Sequence, residues 1–113
     1  MKTILLIIIT ALGSILPKEK AVIAKYNVSG TCNMCKTKIE KAALEAGVEN
    51  AFWNPDKGVL KVKFLASKTN KENILKAVAN TGYDNELYKA EDATYTKLDS
   101  CCKYREKNKK CEK

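Results

Sequence analysis

The sequence of 113 residues predicts one small α+β domain, with two helices on one face of a four-stranded antiparallel sheet in the order β, α, β, β, α, β. Three observations predict it. A run alternating at period two gives way to helical spacing just past a Cys-x-x-Cys pair. A turn bearing Pro, Asp and Gly divides two further apolar runs, and a second helical stretch with a capping-type start closes on glycine.

The first strand is AVIAKYNV, residues 21–28, with Val22, Ala24, Tyr26 and Val28 on one face and Ile23, Lys25 and Asn27 on the other. From Asn33, Cys35, Ile39, Ala42, Ala43 and Ala46 recur at helical spacing. Lys36 with Glu40 and Lys41 with Glu45 form i,i+4 pairs on the outer side, and Gly47 stops the helix. A hairpin follows, its turn in Asn54–Gly58, with Leu60, Val62 and Phe64 facing the helices and Lys61 and Lys63 facing water. Thr69 and Glu72 stand at capping-box spacing ahead of a helix carrying Ile74, Leu75 and Val78 and closing at Gly82. A short fourth strand is expected at Glu86–Lys89, where only Leu87 and Tyr88 support it. This order is the split βαβ, or ferredoxin-like, sandwich.

The ends differ from this unit. The N-terminus pairs Lys2 with an apolar run from Ile4 to Leu16, shorter than the roughly 20 residues that span a bilayer and proportioned like a secretory signal. Residues 1–17 are therefore expected to be a signal peptide, 18–90 the folded domain, and 91–113 a basic tail. The tail would hold a short helix from Glu91 to about Leu98, with its last ten or so residues disordered or loosely attached. A signal implies a periplasmic or secreted protein with no stable membrane insertion after cleavage. The net charge of +8 favours acidic partners, while no interleaving of aromatic and basic residues points to nucleic acid.

All five cysteines follow the apolar run, and an odd number in an exported chain leaves at least one thiol unpaired, metal-bound or joined to another molecule. In VSGTCNMCKTKIEKA, residues 28–42, Cys32 and Cys35 converge on the start of a helix, where backbone N–H groups and the helix dipole favour thiolate. The pair admits three readings. As a metal clasp, in a chain without histidine, it suits Cu(I) or Hg(II); Zn(II) would need further ligands from Cys101 and Cys102 or from carboxylates. As a dithiol–disulfide oxidoreductase it lacks a cis-proline partner, since Pro17 lies in the signal and Pro55 in the hairpin turn. As a structural disulfide it would close a very small loop and stabilise little.

With that motif ahead of the first helix, the stretch from Lys20 to Lys89 resembles the heavy-metal-associated domain family of small copper chaperones, periplasmic mercury-binding proteins and metal-pumping ATPase modules. The family motif is Gly-Met-x-Cys-x-x-Cys. Here SGTCNMC matches both cysteines, while the family's Met, which packs beneath the loop, falls on Gly30 and its Gly on Ser29. The resemblance implies a monomeric metal carrier and not an enzyme, with Cys32 and Cys35 holding the ion and exchanging it with a partner's thiolates through a three-coordinate intermediate. It sets Thr31 and Tyr83 beside the ion and points Met34 to solvent. Cys101 and Cys102, in a trailing pair found in exported members, are expected as accessory metal or disulfide cysteines. Lys36, Lys38 and Lys41 would dock an acidic partner, such as a metal-transporting ATPase domain or another metal-transfer protein.

Overall fold

The computed structural model describes residues 19–31, 33–98 and 102–105; the apolar N-terminal run, Cys32, Cys101 and Cys111 lie outside the described residues. Strand β1 (Val22–Asn27) leads into helix α1 (Asn33–Glu45), then the hairpin β2 (Asn50–Asn54) and β3 (Val59–Phe64), helix α2 (Lys71–Asn80) and a single turn α3 (Asp92–Tyr95). The sheet order is β1-β3-β2 with both pairings antiparallel, so α1 carries the chain over β3 in a split βαβ. Ala24 pairs with Val62, Tyr26 with Leu60, and Trp53 with Leu60, which sets one continuous apolar face against the helices. The same register leaves Ile23, Phe52, Lys61 and Lys63 on the other face.

Alternation predicts this partition because neighbouring strand residues point to opposite faces. Leu60 and Val62 are buried and Lys61 and Lys63 exposed. From the helices, Ile39, Ala43, Ile74, Leu75 and Val78 are fully buried against that face; each large side chain among them contributes about 1.5–3 kcal/mol of burial. The hairpin turns where expected. The Asn54 side chain accepts from the N–H groups of Asp56 (2.8 Å) and Lys57 (3.1 Å), and Gly58 closes the turn at φ 66°.

Two expectations need correction. The expected fourth strand at Glu86–Lys89 is reduced, among the described residues, to one antiparallel bridge between Val28 and Asn85. The Ser29 N–H donates to Asp84 O (2.9 Å) and Glu86 N–H to Asn27 O (3.1 Å), so pairing begins beside β1, the edge position expected of that strand. It goes no further because the Asn85 side chain accepts from Leu87 and Tyr88 N–H (3.1 and 3.0 Å) and Asn85 N–H donates to Tyr88 O (2.9 Å). These bonds fold the chain into a turn where a strand would continue. The cap of α2 is Asn70, whose side chain accepts from Asn73 N–H at 2.8 Å, and not Thr69, which is buried. Thr69 packs against Gly47, whose φ of 111° ends the turn after α1.

Candidate metal centre

The motif loop runs from β1 to α1 and is held on both sides. Val28 N–H donates to Gly58 O of the hairpin turn (2.9 Å), and Ser29 N–H donates to Asp84 O after α2 (2.9 Å). Beneath the loop lies Trp53, fully buried, with Nε1–H donating to Val28 O at 3.0 Å. A Cβ added to Gly30 would stand 2.9 Å from two atoms of the Trp53 ring and 3.2 Å from Cys35 Cβ. The indole therefore fills the space beneath the loop, where the resemblance expects a methionine, and glycine at 30 is what lets the backbone lie on it. Trp53 is also tied to α1, because its N–H donates at 2.8 Å to the Glu40 carboxylate, which pairs with Lys36.

Cys35 is the third residue of α1 and fully buried, at the end of the helix where backbone N–H groups are unpaired within the helix and negative charge is favoured. The Thr31 hydroxyl lies 3.4 Å from its Sγ. Met34 is 43% exposed. Cys32 lies outside the described residues, so the geometry of the pair is not described.

Tyr83 follows Gly82, whose φ of 116° turns the chain off α2, and its ring is wholly buried. Its hydroxyl has no hydrogen-bond partner among the described residues. The polar atoms beside it are the thiols of Cys102 and Cys35, and burial first, then these sulfurs, push its pKa up. Cys102 is fully buried too. The stretch around Cys102 thus packs back onto the Tyr83 loop, at least through Arg105; residues 106–113, most of the end expected to be loosely attached, lie outside the described residues.

What brings it back is a polar clamp. Arg105 donates to both carboxylate oxygens of Asp84 (2.8 and 3.1 Å), to Asp92 (3.1 Å) and to Ala90 O (2.8 Å). The Tyr104 hydroxyl donates to Gly82 O (2.8 Å) and accepts from Asp84 N–H (2.7 Å), while its ring stacks on Tyr83 at 5.7 Å between centroids. Tyr95 meets Tyr104 edge to face at 5.2 Å, and Leu98 packs onto Gly82, where a Cβ would come within 2.9 Å. Sequence reasoning missed Trp53, Asp84, Tyr104 and Arg105. One signal was available: Arg105 is the only arginine in a chain with 21 basic residues, and a planar guanidinium is what a two-oxygen carboxylate contact requires.

The three lysines expected at a docking face separate. Lys36 pairs with Glu40 and lies 4.5 Å over the Phe52 ring, which commits its charge to the α1–β2 junction. Lys38 and Lys41 line a shallow groove between α1 and α3, with Glu45 and Lys97. Among the described residues no helix is long and apolar enough to cross a membrane.

Comparison with known proteins places this geometry. The model of the heavy-metal-associated domain matches residues 25–84, more than half of the chain. Among solved structures, a CopZ metallochaperone is 30% identical, with 57% of this chain and 98% of that chain covered and a TM-score of 0.54. Oxidized MerP from Ralstonia metallidurans CH34 is 26% identical (58% and 94% covered, TM-score 0.55). The N-terminal domain of a potential copper-translocating P-type ATPase from Bacillus subtilis, in its Cu(I)-loaded state, is 28% identical (62% and 90% covered, TM-score 0.53). No curated protein matches. With the domain match running from Lys25 in β1 through the Tyr83 loop, and with Cys35 of the motif in the first turn of α1, the chain belongs to the heavy-metal-associated domain family.

Proposed function

We propose that the protein is an exported carrier of a soft metal ion, Cu(I) first, held by Cys32 and Cys35 and passed on by ligand exchange. The observation that carries this reading is Cys35, set in the first turn of α1 and shielded from water at the electropositive end of the helix. A thiolate there is stabilised by the helix end and is the soft donor that Cu(I) prefers; the chain has no histidine to draw a harder ion. The Cu(I)-loaded ATPase domain among similar structures supports the same ion, and the CopZ metallochaperone supports carriage. Hg(II) shares the chemistry and is the competing cargo.

Carriage needs no acid–base machinery. An incoming thiolate adds to the bound ion, a three-coordinate species forms, and one of the original sulfurs leaves. Lys38 and Lys41, with Lys97 beside them, offer a basic groove for the acidic face of a receiving domain. Export rests on the apolar run of residues 4–16 behind Lys2.

A transfer experiment tests the proposal. The anaerobically reduced chain is loaded with Cu(I) and mixed with a metal-free Cys-x-x-Cys domain of a copper-pumping ATPase, with a Cu(I) chelator reporting any free ion. Copper is expected to divide between the two proteins faster than it reaches the chelator. Copper that stays on the chain, or that moves only by way of free ion, contradicts carriage.

A further inference from the structure

We propose that Tyr104 and Arg105 are positioning residues for the metal loop: by fixing Asp84 they set how firmly the backbone ahead of Cys32 is held, and with it how readily the ion leaves. This deepens the reading of Cys32 and Cys35 as the ligands and rests on it.

Asp84 is the joint between tail and loop. Its carbonyl accepts from the N–H of Ser29, in the motif loop, at 2.9 Å. The other backbone tie at the start of the loop is Val28 N–H to Gly58 O (2.9 Å), and Gly58 is fixed in turn by the hairpin, where its own N–H donates to Asn54 O at 2.8 Å. Asp84 lies in no helix or strand, so its place depends on what its other polar groups meet. Its N–H donates to the Tyr104 hydroxyl at 2.7 Å, and Arg105 donates to both carboxylate oxygens at 2.8 and 3.1 Å. Ala90 N–H adds one more bond to the carboxylate (2.8 Å), and Arg105 holds Ala90 as well, through its carbonyl (2.8 Å). A separate observation sets the tail beside the loop itself: Tyr104 lines an open cleft together with Ser29 and Gly30 of the loop and Gly58 of the turn.

The chemistry of release makes this grip matter. One motif sulfur must let go of the ion as an incoming thiolate adds, and a loop pinned at Ser29 resists that displacement more than a loop freed there. Ligands held in place beforehand also leave less ordering to be done when the ion binds, which strengthens binding. Arg105 suits the task because a planar guanidinium gripping two oxygens fixes direction as well as distance, which a lysine ammonium does not. The Asp84 and Arg105 side chains are only 24% and 23% exposed, so water and salt screen the contact little.

The test uses the full chain, anaerobically reduced. Amide hydrogen exchange on the metal-free protein reads the loop, and passage of one equivalent of bound Cu(I) to a chelator reads release. Arg105→Gln is expected to strip protection from the Ser29 amide, while the Val28 amide and the β1–β3 ladder keep theirs. It is also expected to speed copper release by about tenfold, the scale on which outer contacts act on a metal site. Tyr104→Phe removes the hydroxyl that meets Asp84 but keeps the ring that stacks on Tyr83, and repeats the test with less disturbance of the tail. Equal loss of protection at Ser29, Val28 and the ladder means general loosening and overturns the proposal. Faster Ser29 exchange with unchanged copper release overturns it too, as does no change in either. A wild-type chain that takes up no Cu(I) overturns the reading of the motif cysteines along with this proposal, whereas uptake with release indifferent to both variants overturns this proposal alone.

Discussion

At Gly30, the backbone of the motif loop lies against the Trp53 ring with no space for a Cβ, which would come within 2.9 Å of two ring atoms. Gly30→Ala must push the indole or the loop aside, and overpacking of this kind costs about 1–3 kcal/mol. Thermal unfolding of the metal-free protein checks it, with a lower midpoint expected. The pair also bears on the departure from the family motif: a large residue on β2 fills the space beneath the loop where the resemblance expects a methionine. Sequence alone shows the missing methionine but not its replacement, because Gly30 and Trp53 are joined only by the β1–β3–β2 register. Tyr83 is the second telling residue. Tyr83→Phe removes a buried hydroxyl that has no hydrogen-bond partner among the described residues, so metal-free stability should hold or rise, by no more than about 1–3 kcal/mol. Loss of stability would show that the hydroxyl bonds a sulfur even without the ion.

Among elements, α2 and the tail carry distinct lessons. The Asn70 side chain caps α2, so Asn70→Ala should cost about 1 kcal/mol in chemical denaturation, with the slope against denaturant unchanged. Capping-box spacing pointed one residue earlier, to Thr69, because spacing does not reveal that burial against Gly47 already occupies that side chain. The tail is fastened chiefly through Asp84. Burial raises that carboxyl's pKa, but hydrogen bonds from Arg105 and from Ala90 N–H outweigh burial, and the net value falls below the ordinary 3.8. A carboxyl depressed on folding stabilises above its unfolded pKa and loses that contribution as pH falls through the folded one. Docking should therefore be complete above about pH 5 and weaken only as pH falls through the carboxyl's folded pKa, which lies below 3.8. The near-ultraviolet circular dichroism of the Tyr83–Tyr104 stack reads it directly. Loss of that signal between pH 7 and 5 would contradict the assignment. Asp84→Asn should remove the acid transition.

At the scale of the whole molecule, the order of strands and helices, the turn at Asn54–Gly58 and the buried face of β3 were legible because period-two and period-3.6 patterns report which side of each element meets the core. The fourth strand was not, because its fate depends on a side-chain turn at Asn85 that competes with sheet pairing. The motif was legible as a short constellation. The return of Cys102 was not, because it depends on contacts between residues 84 and 105 that no local pattern signals, apart from a lone arginine among many lysines. The charge of the molecule follows the same division: Lys36 is absorbed at the α1–β2 junction, while Lys38 and Lys41 face the groove toward the tail.

The central claim is that this fold holds a soft ion through the cysteines at the start of α1. Native mass spectrometry of the anaerobically reduced full chain, exposed to Cu(I) with a competing chelator, tests it most directly. The account predicts one copper ion per wild-type chain and none on Cys32→Ser or Cys35→Ser. A wild-type chain that emerges without copper, or a Cys35→Ser chain that keeps it, would contradict the account.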